Sequence, residues 1–440
     1  MESSHGRRFL PLLGGWFGLW IVGAALSIGR LLIKPSGNVN ELLWAEDGLF
    51  PLCVRKAGLA DCFMDPFAGY LLGVPRLVAG LVATLPMETW GLWSNVVAAI
   101  LWGSFVPILY FSLANLRIHA SFRLLIAVSL VTLPLIGLEA VNSTASIYMP
   151  LLFTSTVVTL VMKPDHWTAW AAGVLGFLAA ITIPLGGWLL ILVGVLLVMR
   201  QILGRLAAWV GAPIAFGLVL QLWVVFTADQ GRPLALTGRG FGDWFQAIPN
   251  SILHLWPGVN FGSTTVYGIF PLPTFTWTGV VVAVGLLIAS VVGMRTRTRQ
   301  GMFLGLMVLS GLVYSVVPTV TGYASNRYFV LSSLCFVAAA IALLNYRLVP
   351  MKLGSRSWVL PALTAAVLIV WSAAFPASDW RAAPNPAWKT ELQGAQDRCG
   401  GDPWLQQALL FSPEWPQAGV TQLYEPTTNV IECRVLIGTD

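Results

Sequence analysis

The chain has 440 residues, of which 57% are hydrophobic and 10% charged, and a formal net charge of +6. So apolar a composition excludes a water-surrounded globule with an ordinary polar surface and points to an all-α polytopic membrane protein. Hydrophobic stretches recur along nearly the whole length and leave no room for a separate cytosolic domain, and the 20 tryptophans suit interfacial anchoring.

In chain order, Pro11 to Ile33 comes first and is long enough to span, since a bilayer core needs about 20 apolar residues. Arg30 and Lys34 stand where a cleaved signal peptide would carry small residues, so this stretch reads as a retained anchor. Arg7 and Arg8 precede it, which puts the N-terminus in the cytoplasm and the polar region 34–89 outside. Residues 69–86 are apolar but interrupted by Pro75 and Arg76. Counting them as a span would turn the basic loop from Arg117 to Arg123 outward, so they read as a re-entrant or interfacial helix.

Further spans follow near 90–113, 122–138, 146–162, 167–183, 185–200, 206–227, 276–294, 300–320, 328–345 and 357–376, about eleven with the first. Pro184, Gly186 and Gly187 make a tight hairpin that would let 167–183 and 185–200 dip only part of the way. The inner connections carry Arg117, Arg123, Lys163, Arg200, Arg205, Arg295, Arg297, Arg299, Arg347, Lys352 and Arg356. Of the 19 acidic residues only Glu2 and Asp165 fall inside. The expected organisation is a transmembrane module over residues 1–376, with outer loops 34–89 and 228–275, and a small extracytoplasmic C-terminal domain over 377–440. In that tail the alternation from Asn429 to Ile437 suits a strand.

Cysteine placement agrees with an oxidising outer face. Cys53 and Cys62 share the first outer loop, Cys399 and Cys433 share the tail, and Cys335 stands alone in a span. Two disulfides within these segments are expected, with cross-pairing between loop and tail left open.

The polar chemistry concentrates in Trp44-Ala45-Glu46-Asp47-Gly48, an adjacent carboxylate pair just beyond the first span. Capping the following amphipathic helix would need only one short acceptor, so a second charge remains unexplained. This stretch, with Pro66-Phe67-Ala68-Gly69-Tyr70 and Val74-Pro75-Arg76-Leu77, resembles a family of bacterial polytopic membrane proteins similar to the GT-C glycosyltransferase superfamily. Phe67 stands where that family more often has tyrosine. The resemblance covers about residues 41–86, with Asn326-Arg327-Tyr328 similar to the pattern at the start of a late span.

The resemblance implies a GT-C-like bundle, an active site on the outer face and a lipid-linked sugar donor. An acceptor hydroxyl must lose its proton as it attacks the anomeric carbon of a polyprenyl-phosphate sugar, which assigns Asp47 as general base with Glu46 as its partner. A single base opposite a phosphate leaving group implies inversion. A divalent cation, Mg²⁺ or Mn²⁺, held by Glu46 and Asp47 is left undetermined.

The departing phosphate needs a cation or hydrogen-bond donor, for which Arg327 with Tyr328, then Arg76 and Lys34, are the candidates. Snorkelling is the alternative for Arg327, and pairing with a carboxylate such as Asp65 for Arg76. Glu139, Asn142, His254 and Trp44 are candidates for the sugar or acceptor, against capping for the first two and interface anchoring for Trp44.

The expected reaction moves a sugar to a cell-envelope polysaccharide or glycolipid at the bacterial cytoplasmic membrane, with the C-terminus extracytoplasmic and no nucleic-acid partner. The competing expectations are an O-antigen ligase or polymerase relying on Arg239 or His254, and a lipid-linked sugar flippase built on Gly/Pro-interrupted segments.

Overall fold

The computed structural model describes residues 6–32, 43, 46–67, 70–133, 143–164, 166–227, 273–320, 329–348, 358–373, 388–399, 406–408 and 430–433. The described chain is a helical bundle. Its elements are α1 (Gly6–Leu32), α2 (Glu46–Ala57), α3 (Leu59–Met64), α4 (Gly73–Ala83), α5 (Trp90–Ser112), α6 (Ala120–Thr132), α7 (Tyr148–Val161), α8 (Trp167–Ala180), α9 (Gly187–Val198) and α10 (Gly204–Thr227). They continue with α11 (Pro273–Arg295), α12 (Arg299–Val320), α13 (Val330–Leu348), α14 (Val359–Ala373) and α15 (Trp388–Cys399). Two short strands, β1 (Gln406–Ala408) and β2 (Val430–Glu432), pair antiparallel with Gln406 opposite Glu432.

Among the described residues three helices are long and apolar enough to cross a membrane: Met87–Leu116, Gly204–Thr227 and Val330–Arg347. Several other apolar helices are shorter, and proline is one reason. The stretch expected to run helical over 122–138 ends at Thr132, where Leu133 turns extended before Pro134. Ile183, extended before Pro184, likewise closes the α8 end. The ring of a proline clashes with a helical conformation at the residue before it. α8 and α9 hold 14 and 12 residues, about 21 and 18 Å at 1.5 Å per residue, less than a hydrocarbon core of about 30 Å.

The core lies around α7. From Met149 to Val161 every side chain of α7 is buried, against α5, α8, α9, α12 and α13. A helix apolar all round belongs in an interior; two of its hydroxyls, Ser155 and Thr156, donate to Leu151 O and Leu152 O at 2.7 and 2.8 Å, while those of Thr154 and Thr159 are buried without a hydrogen-bond partner among the described residues. Thr156 also meets Tyr314 of α12 at 2.9 Å. The periphery is apolar as well, with Trp170, Trp209, Phe216, Trp223 and Phe226 exposed along α8 and α10, as a lipid-facing wall requires.

Hydrogen bonds define two ends of the bundle. At one, Gln300 donates to Leu116 O, Gln201 to Arg297 O and Asn115 to Val161 O, while Asn345 accepts from His119 N. This end gathers Arg117, Lys163, Arg200, Arg297 and Arg347. Arg117, Arg200 and Arg297 adopt left-handed backbone angles, φ 57°, 56° and 53°, where a helix exit more often uses glycine. At the other end lie α2, α3, α4 and α15, with Asp47, Asp61, Asp65, Glu88 and Glu391.

α1 and α5 cross closely through small residues, the usual solution for helices that no hydrophobic effect drives together in lipid. A Cβ on Gly103 would stand 2.6 Å from Ala24 N and 2.9 Å from Trp20 O, both backbone atoms. Gly103→Leu should therefore force α1 away from α5 and lower stability by about 1–3 kcal/mol, as overpacking does. Gly18→Leu, where nothing lies within 4 Å, should leave the melting temperature in detergent unchanged.

Candidate functional site

The site is built where the first loop meets the N-terminal end of α7. Asp47 is the second residue of α2 and only 3% exposed. Its Oδ1 accepts from Thr144 Oγ1 at 2.6 Å, Ala145 N at 2.8 Å and Ser143 Oγ at 3.2 Å. Ser143 Oγ in turn accepts from Ser146 N at 3.2 Å, and Trp102 of α5 donates to Ser143 O at 3.3 Å.

The 3-10 turn Ala145–Ile147 runs directly into α7, so Asp47 supplies an anion to the open amide end of the most buried helix. The first N–H groups of a helix lack partners within it, and its dipole favours negative charge there. An N-cap thus exists, and Asp47 supplies it to α7 across the fold.

α4 is fixed beneath this point by backbone pairing. The Gln221 amide of α10, fully buried, accepts from Leu71 N at 3.0 Å and donates to Leu71 O at 3.2 Å. Gly73 N donates to Ile181 O at 3.1 Å and Val74 N to Thr182 Oγ1 at 3.2 Å. A Cβ at Gly73 would sit 2.9 Å from that same Ile181 carbonyl oxygen, so the approach needs glycine. Phe50, Leu72, Ala79 and Ala145 then close into one small core joining α2, α4 and the start of α7.

Arg76 lies within this loop at 2% exposure. Its guanidinium donates to the Cys62 carbonyl, reaches Asp65 Oδ2 at 3.6 Å and lies 5.1 Å from the centre of the Phe50 ring. Burial lowers its pKa, and the charge of Asp65 works against that shift. Cys62 is bonded to Cys53, tying α3 to α2. The contact with Asp65 is the carboxylate pairing expected as the alternative for Arg76, while Nε is buried with no hydrogen-bond partner among the described residues.

The C-terminal segment covers the same end. Trp388 stacks on Trp90 at 6.1 Å and 4° and donates from Nε1 to Met87 O at 2.6 Å. Leu392, Ala395, Cys399 and Cys433 share a core with Leu43, Leu52 and Val82 of the first loop, and Cys399 is bonded to Cys433.

Arg327, Tyr328, Lys34, Glu139, Asn142, His254 and Trp44 lie outside the described residues, as does the Glu46 side chain. Among the described residues no group of three or more His, Cys, Asp and Glu side chains converges to hold a metal ion. Asp47 Oδ1, already engaged by three donors, is poorly suited to ligate a cation.

Ser143, Thr144, Gln221 and Trp388 were not singled out as site residues in the sequence. A run of short hydroxyl residues before an apolar helix is a recognisable capping signal, but nothing in it names a partner 96 to 98 positions away.

Asp47→Ala should leave the three donors at Ser143, Thr144 and Ala145 without their acceptor, at about 1–3 kcal/mol for each buried group left unmade. Asp47→Asn keeps an oxygen in place and should retain most of the stability. Thermal unfolding of the two variants in one detergent measures the difference. The chain matches no protein-family model and no curated protein.

Proposed function

We propose that the protein is a membrane glycosyltransferase that transfers a sugar from a polyprenyl-phosphate donor to a cell-envelope polysaccharide or glycolipid, on the outer face of a bacterial cytoplasmic membrane. The observation that carries this reading is the oriented carboxylate of Asp47, in the motif stretch that resembles GT-C enzymes, at the end of a helical bundle where α2–α4 and the C-terminal segment converge. A general base has to be positioned as well as basic. Three donors on Oδ1 fix the plane of this carboxylate.

In the proposed reaction the acceptor oxygen bonds to the anomeric carbon as the bond from that carbon to the phosphate oxygen breaks. The hydroxyl proton passes to Asp47, and polyprenyl phosphate leaves with the bonding pair. Attack opposite the leaving group inverts the anomeric centre. Asp47 is 3% exposed, so acceptor binding has to open the start of α2 or the 143–146 turn. Arg327 and Lys34 remain the proposed phosphate partners, and Glu46 the supporting acid.

Charge supports the outward orientation. Arg117, Lys163, Arg200 and Arg297 collect at the end opposite Asp47, and the positive-inside rule assigns that end to the cytoplasm. About eleven spans are proposed on the same basis, combining the described helices with the hydropathy of the sequence.

The Asp47→Asn variant separates catalysis from capping because it conserves the acceptor oxygen while removing the base. Purified full-length protein assayed with a panel of polyprenyl-phosphate sugars should release polyprenyl phosphate, and Asp47→Asn should slow release by about 10²–10⁴-fold, the usual worth of a general base, at near-normal melting temperature. Undiminished turnover in a folded Asp47→Asn protein would remove Asp47 from the chemistry. Movement of the donor across vesicles without release of polyprenyl phosphate would indicate a flippase.

A further inference from the structure

The basic end holds a groove that the proposed reaction does not use. It measures about 410 Å³ and lies between α11, α12 and α13. Ile288 and Val292 of α11, Leu304 of α12 and Leu343 of α13 form its apolar length, and Thr298, Gln300, Tyr346 and Arg347 its polar mouth. From Gly285 to Thr296 the groove follows α11 for about 16 Å at 1.5 Å per residue. Ile288 and Val292 are 61% and 56% exposed, so it opens sideways to the lipid-facing surface.

The mouth is rigid. A Cβ on Gly301 would collide with Gly293 O, so α11 and α12 touch through backbone. The turn between them is closed by Thr296 Oγ1 donating to Gly293 O at 2.6 Å and by Gly301 N donating to Thr298 Oγ1 at 3.1 Å. Two groups at the mouth are left unused. Tyr346 Oη is buried and has no hydrogen-bond partner among the described residues. Arg347 has no acidic partner among the described residues, and Arg295, Arg297 and Arg299 stand in the adjoining turn. A single arginine in the last turn of a helix is explained by the helix dipole. That explanation does not cover an arginine set beside an orphaned phenol at the polar end of an apolar groove.

We infer that this groove binds an anionic phospholipid, its phosphate at Arg347 and Tyr346 and an acyl chain along Ile288, Val292 and Leu304. Charge decides the occupant: the described acidic residues lie at the opposite end, and a basic pocket between helices at the cytoplasmic side is the setting in which phosphate headgroups are held. Arginine suits this task because its fork donates two parallel bonds to phosphate oxygens.

The test uses the full-length protein in nanodiscs of phosphatidylcholine, alone or with a minor fraction of phosphatidylglycerol, read by melting temperature and by native mass spectrometry of retained lipid. Wild type should gain about 3 °C or more with phosphatidylglycerol, since a ligand bound only by the folded state stabilises it, and should retain that lipid preferentially. Two variants remove the site independently: Arg347→Gln takes the charge, and Gly285→Leu, whose Cβ meets nothing within 4 Å, fills the apolar end. Each should match wild type in phosphatidylcholine alone and lose both the shift and the retained lipid. Should one fail to fold, the other decides. No shift in wild type, the same shift in either folded variant, or an equal shift from inorganic phosphate in phosphatidylcholine discs would each overturn the assignment.

Discussion

A carboxylate withdrawn from water has to recover its hydration from the protein, and at Asp47 three donors from one turn do so at a single oxygen. Much of the described architecture at that end follows from the need to bring them there. The donors belong to the entrance of α7, whose next turns are buried on every side. Fixing that entrance fixes the position of the first loop against the bundle. Gln221 and the Ile181 carbonyl then hold α4 from below, and the Cys53–Cys62 bond with Arg76 stiffens the loop from within.

Capping and catalysis are compatible at such a residue. The bonds that cap α7 also set the plane of the carboxylate, which is the geometric requirement on a general base. Arg76 is met by a different set of neighbours. At 2% exposure its guanidinium is engaged by Asp65, the Cys62 carbonyl and the Phe50 ring, with Nε left without a hydrogen bond among the described residues. Both groups are buried and charged; what separates them is the chemistry of their neighbours.

The two ends of the bundle are built differently. The end carrying Asp47 uses short helices, disulfides and a stacked tryptophan pair to make a layered cover. The opposite end uses tight turns, three of them with left-handed arginines. Spending a strained backbone conformation on arginine where glycine would serve keeps positive charge beside helix C-termini, whose carbonyls attract it. That end thereby acquires the charge that a membrane surface reads as well as the groove mouth.

Helix positions were largely legible in the sequence. The apolar stretches from 90–113 to 357–376 contain helices within a few residues of their expected limits, with 122–138 ending early at the residue before Pro134. Hydrophobicity and proline placement act locally, so counting along the chain recovers them. The within-segment cysteine pairs and a helix in 69–86, the 11-residue α4, were legible for the same reason. What the sequence alone determined, then, was the helical membrane class, the segregation of charge between connections and the identity of Asp47 as an acid needing explanation. Tertiary structure alone decided that Asp47 meets Ser143, Thr144 and Ala145, that Gln221 holds Leu71, and that Trp388 lies on Trp90. Such partners stand far apart along the chain, and the packing of the whole bundle brings them within reach.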